Sequence, residues 1–192
     1  MMQKKLTLAS TSKYRQQQLQ QLGIQFLTKA PLFDEESEKD LTLTPQILAA
    51  KLAFLKAQSL KSVGSVVIGA DQLVAHRGMI LGKPHTRDGA IAQLQSLQGS
   101  THELITAICV FDGETSIPFA DVTRLTMKPL SLQQVERYVD LDTPFDCAGS
   151  YKIESHGMML FEKIESQDFS AIQGLPLLGL SKILKDCGFQ IP

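Results

Sequence analysis

The sequence has no tryptophan, 6% aromatic residues, three cysteines, no excess of charge of either sign and no long apolar run. Cys109, Cys147 and Cys187 are odd in number, far apart and outside any CxxC spacing, which excludes a disulfide framework and a zinc site as expectations and fits a reducing cytoplasm. Nineteen Lys and Arg against twenty Asp and Glu leave a formal net charge of −1. No global field therefore draws the chain to nucleic acid or to an anionic membrane, and an anionic ligand must be held by a local cluster. The N-terminus is basic, but the apolar run that follows is too short for a signal h-region or a membrane span. What remains is 192 residues with 43% hydrophobic and 20% charged side chains, enough for one packed domain or two small lobes sharing a core. There is no repeat, low-complexity tract or linker.

Short apolar runs alternate with helical patterns, which predicts an α/β protein. Leu6–Ala9 reads as a strand and Ser12 as the cap of a helix whose Leu19 and Leu22 share a face before Gly23. A second strand is expected over Ile24–Thr28, then a loop through the acidic Asp34–Asp40. Thr44-Pro45 starts a helix with Leu48, Leu52 and Leu55 at i, i+4 and i+7. Ser65–Ala70 is a β-branched run suited to a strand buried on both faces, ending at Asp71. After the turn at Gly82-Lys83-Pro84, Thr86 caps a helix that Gly99 ends. The strands His102–Phe111 and Ile117–Met127 flank an Asp112-Gly113 hairpin. Ser131 and Gln134 form a capping box opening a helix to about Asp140, followed by a strand over Met158–Lys163 and a last helix over Leu177–Cys187.

Several residues could carry chemistry. Ser10-Thr11-Ser12-Lys13-Tyr14-Arg15 lies between a strand and a helix, where free N–H groups, hydroxyls and cations suit phosphate oxygens; plain helix capping accounts for the same residues, and P-loop glycines are missing. Asp71, where an apolar strand gives out, could activate water or hold a metal, or simply form a turn. Lys83 between Gly82 and Pro84 could aim at a phosphate, although exposed turn lysines are common. Asp34-Glu35-Glu36 could supply hard oxygen ligands or a solvated loop. Lys51 and Lys56, five apart on one helix, point different ways, so at most one faces a site. The histidines show no ligating spacing. Cys147–Glu154 combines small residues, a hydroxyl, a lysine and a carboxylate, as close approach to a ligand requires, and equally reads as a sheet-edge turn.

The order of these pieces carries more than any one of them. Leu8–Arg15, Asp34-Glu35, Leu55-Lys56-Ala57, Ile68–Gln72, Gly82-Lys83-Pro84, Ala148–Glu154 and Gly174–Leu177 together resemble the Maf-like nucleoside triphosphate pyrophosphatases over nearly the whole chain. The resemblance implies an inosine-triphosphatase-like (Maf/Ham-like) α/β fold: residues 1–192 as one domain, an elongated mixed sheet flanked by helices, and two lobes with a cleft. It implies hydrolysis of a nucleoside triphosphate to the monophosphate and pyrophosphate with a divalent cation, Mg²⁺ or Mn²⁺. Carried over, Asp71 is the proton acceptor, Ser10, Arg15, Lys56 and Lys83 contact phosphates, and Glu35 with Asp71 serves the metal.

Base selection falls in the family to the positions of Tyr14, Gln72 and Glu154. The branch acting on dTTP and UTP is expected to carry Arg, Thr and Gln there, so this chain looks like the branch whose substrate is 7-methyl-GTP. The chemistry agrees: N7-methylation makes the base cationic, Tyr14 offers an aromatic face, and Glu154 can accept from guanine N1–H and the 2-amino group. The chain departs from that branch in Tyr14 for a frequent Trp, Ala107 for a commoner Gly and Asp168-Phe169-Ser170 for an Asp-Pro-Asn-like turn. The expectation is a cytoplasmic enzyme that removes modified nucleotides, with a nucleotide as its partner, no nucleic acid or membrane, and a homodimer left open. A dTTP/UTP or broad pyrophosphatase, and a non-catalytic septum-formation regulator, are the alternatives.

Overall fold

The computed structural model describes residues 4–191. Seven strands form one mixed sheet in the order β2-β1-β3-β5-β6-β7, with β4 paired to β3. The strands are β1 (Lys5–Ala9), β2 (Leu27–Lys29), β3 (Ser65–His76), β4 (Met79–Leu81), β5 (Thr101–Asp112), β6 (Thr115–Met127) and β7 (Phe161–Glu165). Among the described residues six α-helices accompany them: α1 (Lys13–Gln20), α2 (Glu35–Glu38), α3 (Pro45–Gln58), α4 (Arg87–Leu97), α5 (Leu132–Asp142) and α6 (Leu177–Asp186). The chain divides into two compact units, one holding residues up to Gln72, Thr106–Asp121 and the chain from Asp168, the other Leu73–Ile105 and Val122–Gln167.

In the first unit β1 pairs in parallel with both β2 and β3, as expected of strands joined through helices. Ser12 caps α1 by accepting from the Arg15 N–H, and Thr44 caps α3 ahead of Pro45. The core of this unit packs Leu6 and Leu8 of β1, Ile68 of β3 and Ile108 of β5 against Leu19 of α1 and Leu180 of α6. Gly69 is the point of closest approach: a Cβ there would lie 2.1 Å from the Ala53 carbonyl oxygen and 2.5 Å from the Ala57 nitrogen. The bare backbone of β3 thus lets α3 lie directly on the sheet.

In the second unit, β4 pairs antiparallel to the end of β3 and β7 to the end of β6. The capping box of Ser131 and Gln134 opens α5, and Thr86 accepts from the Gly89 N–H to open α4. His102, Tyr151 and Phe161 form an aromatic cluster with ring centroids 5.0–5.9 Å apart.

Several elements differ from the sequence reading, among them β4, which that reading lacks. β3 runs on past Asp71 to His76, because Leu73, Val74 and Ala75 are buried and pair onward, so Asp71 lies inside a strand rather than at its end. The acidic segment contains a one-turn helix, α2, capped by Asp34. Ile24 and Phe26 precede β2 and pack at the edge of the core instead of pairing. β7 starts at Phe161, since Gly157–Leu160 forms a 3-10 turn. The three cysteines are free.

Candidate functional site

The parallel pair of β1 and β3 ends where Ala9 faces Gly69, and Ser10 and Asp71 follow within two residues. Ligands in open α/β sheets gather beyond such strand ends. Side chains alternate along β3, so Gly69 and Asp71 face α3 while Ala70 and Gln72 face α1 and α6. The close contact of α3 at Gly69 brings Lys56, one residue from Ala57, onto Asp71. Lys56 Nζ donates to Asp71 Oδ1 at 2.6 Å and pairs with Glu35 Oε2 at 2.9 Å. Lys56 and Asp71 are 6% and 5% exposed, an ion pair almost wholly removed from water. Lys51 turns the other way along α3 and holds Glu38, so the two lysines pin both ends of α2 while only Lys56 reaches Asp71.

The environment separates the two carboxyls. Burial raises the pKa of Asp71 above the usual carboxylate range, with Glu35 adding to the rise and Lys56 and Arg15 opposing it. Burial also acts against ionised Glu35, but its hydrogen bond and charge attraction to Lys56, with help from Lys39 and Arg15, outweigh that and leave its pKa lowered. Burial and the shared lysine thus shift the two carboxyls in opposite directions, Asp71 up and Glu35 down. Asp71 Oδ2 is buried and has no hydrogen-bond partner, an acceptor aimed at something the chain itself does not supply.

Arg15, on the first turn of α1, is half-buried, and its charge is felt by both Asp71 and Glu35. Its Nε donates to the Gly174 carbonyl at 3.1 Å. Gly174 has φ +116, and a Cβ there would meet Arg15 Nε at 3.2 Å, so glycine serves both the backbone turn and the guanidinium. Ser10 is buried and its Oγ accepts from the Ser12 N–H at 3.2 Å, which leaves the hydroxyl proton to give. The first unit therefore brings Arg15, Glu35, Lys56 and Asp71 together, with Ser10 at the same strand end. Tyr14, 37% exposed, stands beside Arg15 on α1. Gln72 faces away from Asp71, and its Nε2 contacts Thr106 Oγ1, Ala171 O and Ile172 O at 2.9–3.1 Å.

Lys83 and Glu154 belong to the second unit and both are exposed. The turn that carries Lys83 and the loop before Glu154 are tied together by Gln93 of α4, whose Nε2 donates to the Gly82 carbonyl and whose Oε1 accepts from Ser150 Oγ at 2.6 Å. Gly149 and Ser150 both have positive φ. Lys152 donates to the Asp142 and Thr143 carbonyls at the end of α5, so its ammonium supports this loop.

A family model described as "Maf-like protein" matches residues 5–187. The chain belongs to the Maf-like family. Among curated Maf-like relatives, the 7-methyl-GTP pyrophosphatase of Bdellovibrio bacteriovorus is 62% identical, covering 97% of this chain and 98% of the relative. The proteins of the same description from Vibrio vulnificus and Xanthomonas oryzae are 43% and 40% identical, the former over 97% of this chain and 96% of its own, the latter over the whole of both. Ham1 proteins of Coxiella burnetii and Staphylococcus aureus share the fold, each with a TM-score of 0.53 at 14% identity, covering 96% and 95% of this chain and 100% and 99% of theirs. The inosine-triphosphatase-like architecture expected of a Maf-like chain is thus present. Gln18, Thr106 and Gln93 are further site-supporting residues that sequence reading passes over. Their partners lie 11 to 157 positions away, and no local pattern announces them.

Proposed function

We propose that this protein hydrolyses 7-methyl-GTP to 7-methyl-GMP and pyrophosphate and so keeps the modified nucleotide out of use. The observation that carries the reading is the buried Lys56–Asp71 pair with the unpartnered Asp71 Oδ2, in a chain 62% identical to a protein named for that reaction. Asp71 takes a proton from water as the water oxygen bonds to the α-phosphorus; the bond to the bridging oxygen breaks and pyrophosphate leaves. Arg15 and Lys56 offset the charge gathering on the phosphate oxygens, Ser10 offers its hydroxyl proton, and Lys83 adds a cation. Tyr14 offers an aromatic face that suits the cationic base, and Glu154, in the second unit, keeps the base-selecting role that the resemblance gives it.

The donor set suits a divalent ion. Asp71 Oδ2 is an orphaned buried oxygen and Glu35 is held as a carboxylate beside it, while among the described residues no group of three His, Cys, Asp or Glu forms a complete cage. Two carboxylates completed by substrate oxygens and water are what Mg²⁺ accepts, and Mn²⁺ shares the preference for hard oxygen. When bound, such an ion polarises phosphate oxygens.

Pyrophosphate release from a panel of canonical and N7-methylated nucleoside triphosphates, with Mg²⁺ and with Mn²⁺, tests the proposal. The expected result is highest kcat/KM for 7-methyl-GTP. Preference for dTTP or UTP overturns the base assignment, and no turnover of any triphosphate leaves a binding protein.

A further inference from the structure

The residue after Asp71 is assigned to the base by resemblance, yet its amide nitrogen is committed elsewhere. Gln72 leaves β3 on the face opposite Asp71 and meets the 3-10 turn Phe169–Gln173. Three acceptors converge on its Nε2: Thr106 Oγ1 at 3.0 Å, the Ala171 carbonyl at 2.9 Å and the Ile172 carbonyl at 3.1 Å. An amide nitrogen has two hydrogens, so one is shared and none is left to give. Thr106, 1% exposed, passes its own proton to Ala171 O at 2.9 Å, which fixes its oxygen as the acceptor for Gln72.

The same turn is gripped from its other side by α1. Gln18, 2% exposed and one helical turn after Arg15, donates to the Ser170 and Leu175 carbonyls at 2.7 and 3.4 Å. Arg15 itself donates to the Gly174 carbonyl. Asp168 completes the frame by accepting from the Ser170, Leu178 and Gly179 N–H groups, the last two at the start of α6. Four consecutive elements of one hydrogen-bond path run from β3 and β5 through the turn to the guanidinium: Gln72, Thr106, the 171–174 backbone, Arg15.

We propose that Gln72 is a positioning residue, which through its Nε2 fixes the Gly174 carbonyl by way of this turn and thereby holds the Arg15 guanidinium in place. The inference rests on the functional reading above for what Arg15 binds, a polyphosphate. Arg15 lies on the first turn of a helix and is half-buried, so without the Gly174 carbonyl its long side chain regains rotamer freedom. Anchoring it at Nε leaves the two terminal nitrogens for phosphate oxygens, the fork geometry that makes arginine suited to phosphate.

The test compares Gln72→Ala, Thr106→Val, Arg15→Lys and the Gln72→Ala/Arg15→Lys double variant, each first shown folded by its thermal transition. Two readouts are used: affinity for inorganic tripolyphosphate by calorimetry, which involves no base, and kcat/KM for 7-methyl-GTP, GTP and UTP. Gln72→Ala is expected to weaken tripolyphosphate binding and to lower all three kcat/KM values by a common factor of about 10–100, leaving their ratios unchanged. On the Arg15→Lys background its effect on both should shrink to less than about twofold, the non-additivity of two residues acting as one. Thr106→Val, which keeps the shape and removes one link, should shift tripolyphosphate affinity in the same direction by a smaller factor. Should Gln72→Ala fail to fold, the Thr106→Val and Arg15→Lys pair carries the same cycle. Altered base ratios with unchanged tripolyphosphate affinity, or additive effects with Arg15→Lys, overturn the proposal. If the wild-type protein turns over no triphosphate, the functional reading fails while the tripolyphosphate cycle still decides this one.

Discussion

Lys56 stands between two carboxylates whose acidities move in opposite directions, and the residue-scale consequences follow from that. Asp71→Asn keeps the shape and removes the proposed proton acceptor, so kcat should fall by about 10²–10⁴-fold in the pyrophosphate-release assay. Stability should move the other way. Because burial raises the folded-state pKa of Asp71, the folded chain holds this proton more tightly than the unfolded one. Stability is therefore lost as pH rises from the unfolded pKa through the folded one, and the ionised carboxylate remains a cost at neutral pH. The neutral amide of the Asp71→Asn variant carries no such cost, so its thermal midpoint at pH 7 should equal or exceed that of the wild type, with the gap closing in acid. A clear fall in midpoint at pH 7 would contradict this. Glu35 has the opposite sign: its lowered pKa stabilises at neutral pH and that contribution is lost on acidification.

At the scale of elements, the turn at 169–174 is held by side chains from two strands and a helix, and Gly174 is its most constrained point. Gly174→Ala forces a side chain onto φ +116 and a methyl against Arg15 Nε. A cost of about 1–3 kcal/mol is expected from the backbone alone, read as a lowered urea midpoint, together with reduced kcat/KM. Much of this architecture is legible in the sequence, where the pattern is local. The caps at Ser12, Thr44, Thr86 and Ser131 and the apolar spacing along α3 follow from short-range pattern. β3 is harder, because Asp71-Gln72 looks like the polar end of a strand. Its continuation depends on residues 74–76 finding a partner strand, β4, which follows only after the turn at Gly78. The candidate site divides in the same way. Seven ordered blocks point to Ser10, Arg15, Glu35, Lys56, Asp71 and Lys83, and four of these meet in the first unit. The direction in which Gln72 points is set by the pleat of β3, which becomes readable once the register with β1 is known.

Across the whole molecule, net charge near −1 coexists with a concentrated cationic pair because Arg15 and Lys56 are offset locally by Glu35 and Asp71. No helix of the described residues is long and apolar enough to cross a membrane. Acid stability of the chain should be governed in part by the second unit's His102. Burial, with a smaller effect from His76, lowers its pKa from 6.5 to about 4, and its ring is 2% exposed with Nε2 at 3.1 Å from the Tyr151 hydroxyl. Between these values the unfolded chain binds the proton and the folded chain does not. Stability should therefore decline as pH falls through that window, by about 3 kcal/mol at its foot, and be flat above it. Urea midpoints measured at pH 7 and pH 4.5 check this. His102→Gln should show a markedly smaller difference between the two, whatever its absolute stability.

The contact at Gly69 also limits how sequences of this kind can change. A strand and a helix touch where Gly69 meets the Ala53 carbonyl and the Ala57 nitrogen and Cβ, so a side chain at 69 moves the helix that carries Lys56. Substitutions there should show strong epistasis: a larger residue at 57 is lost and not rescued by shrinking its neighbour, since Gly69 has nothing left to give up. Libraries that vary this strand and helix must therefore treat Gly69 and Ala57 as one unit.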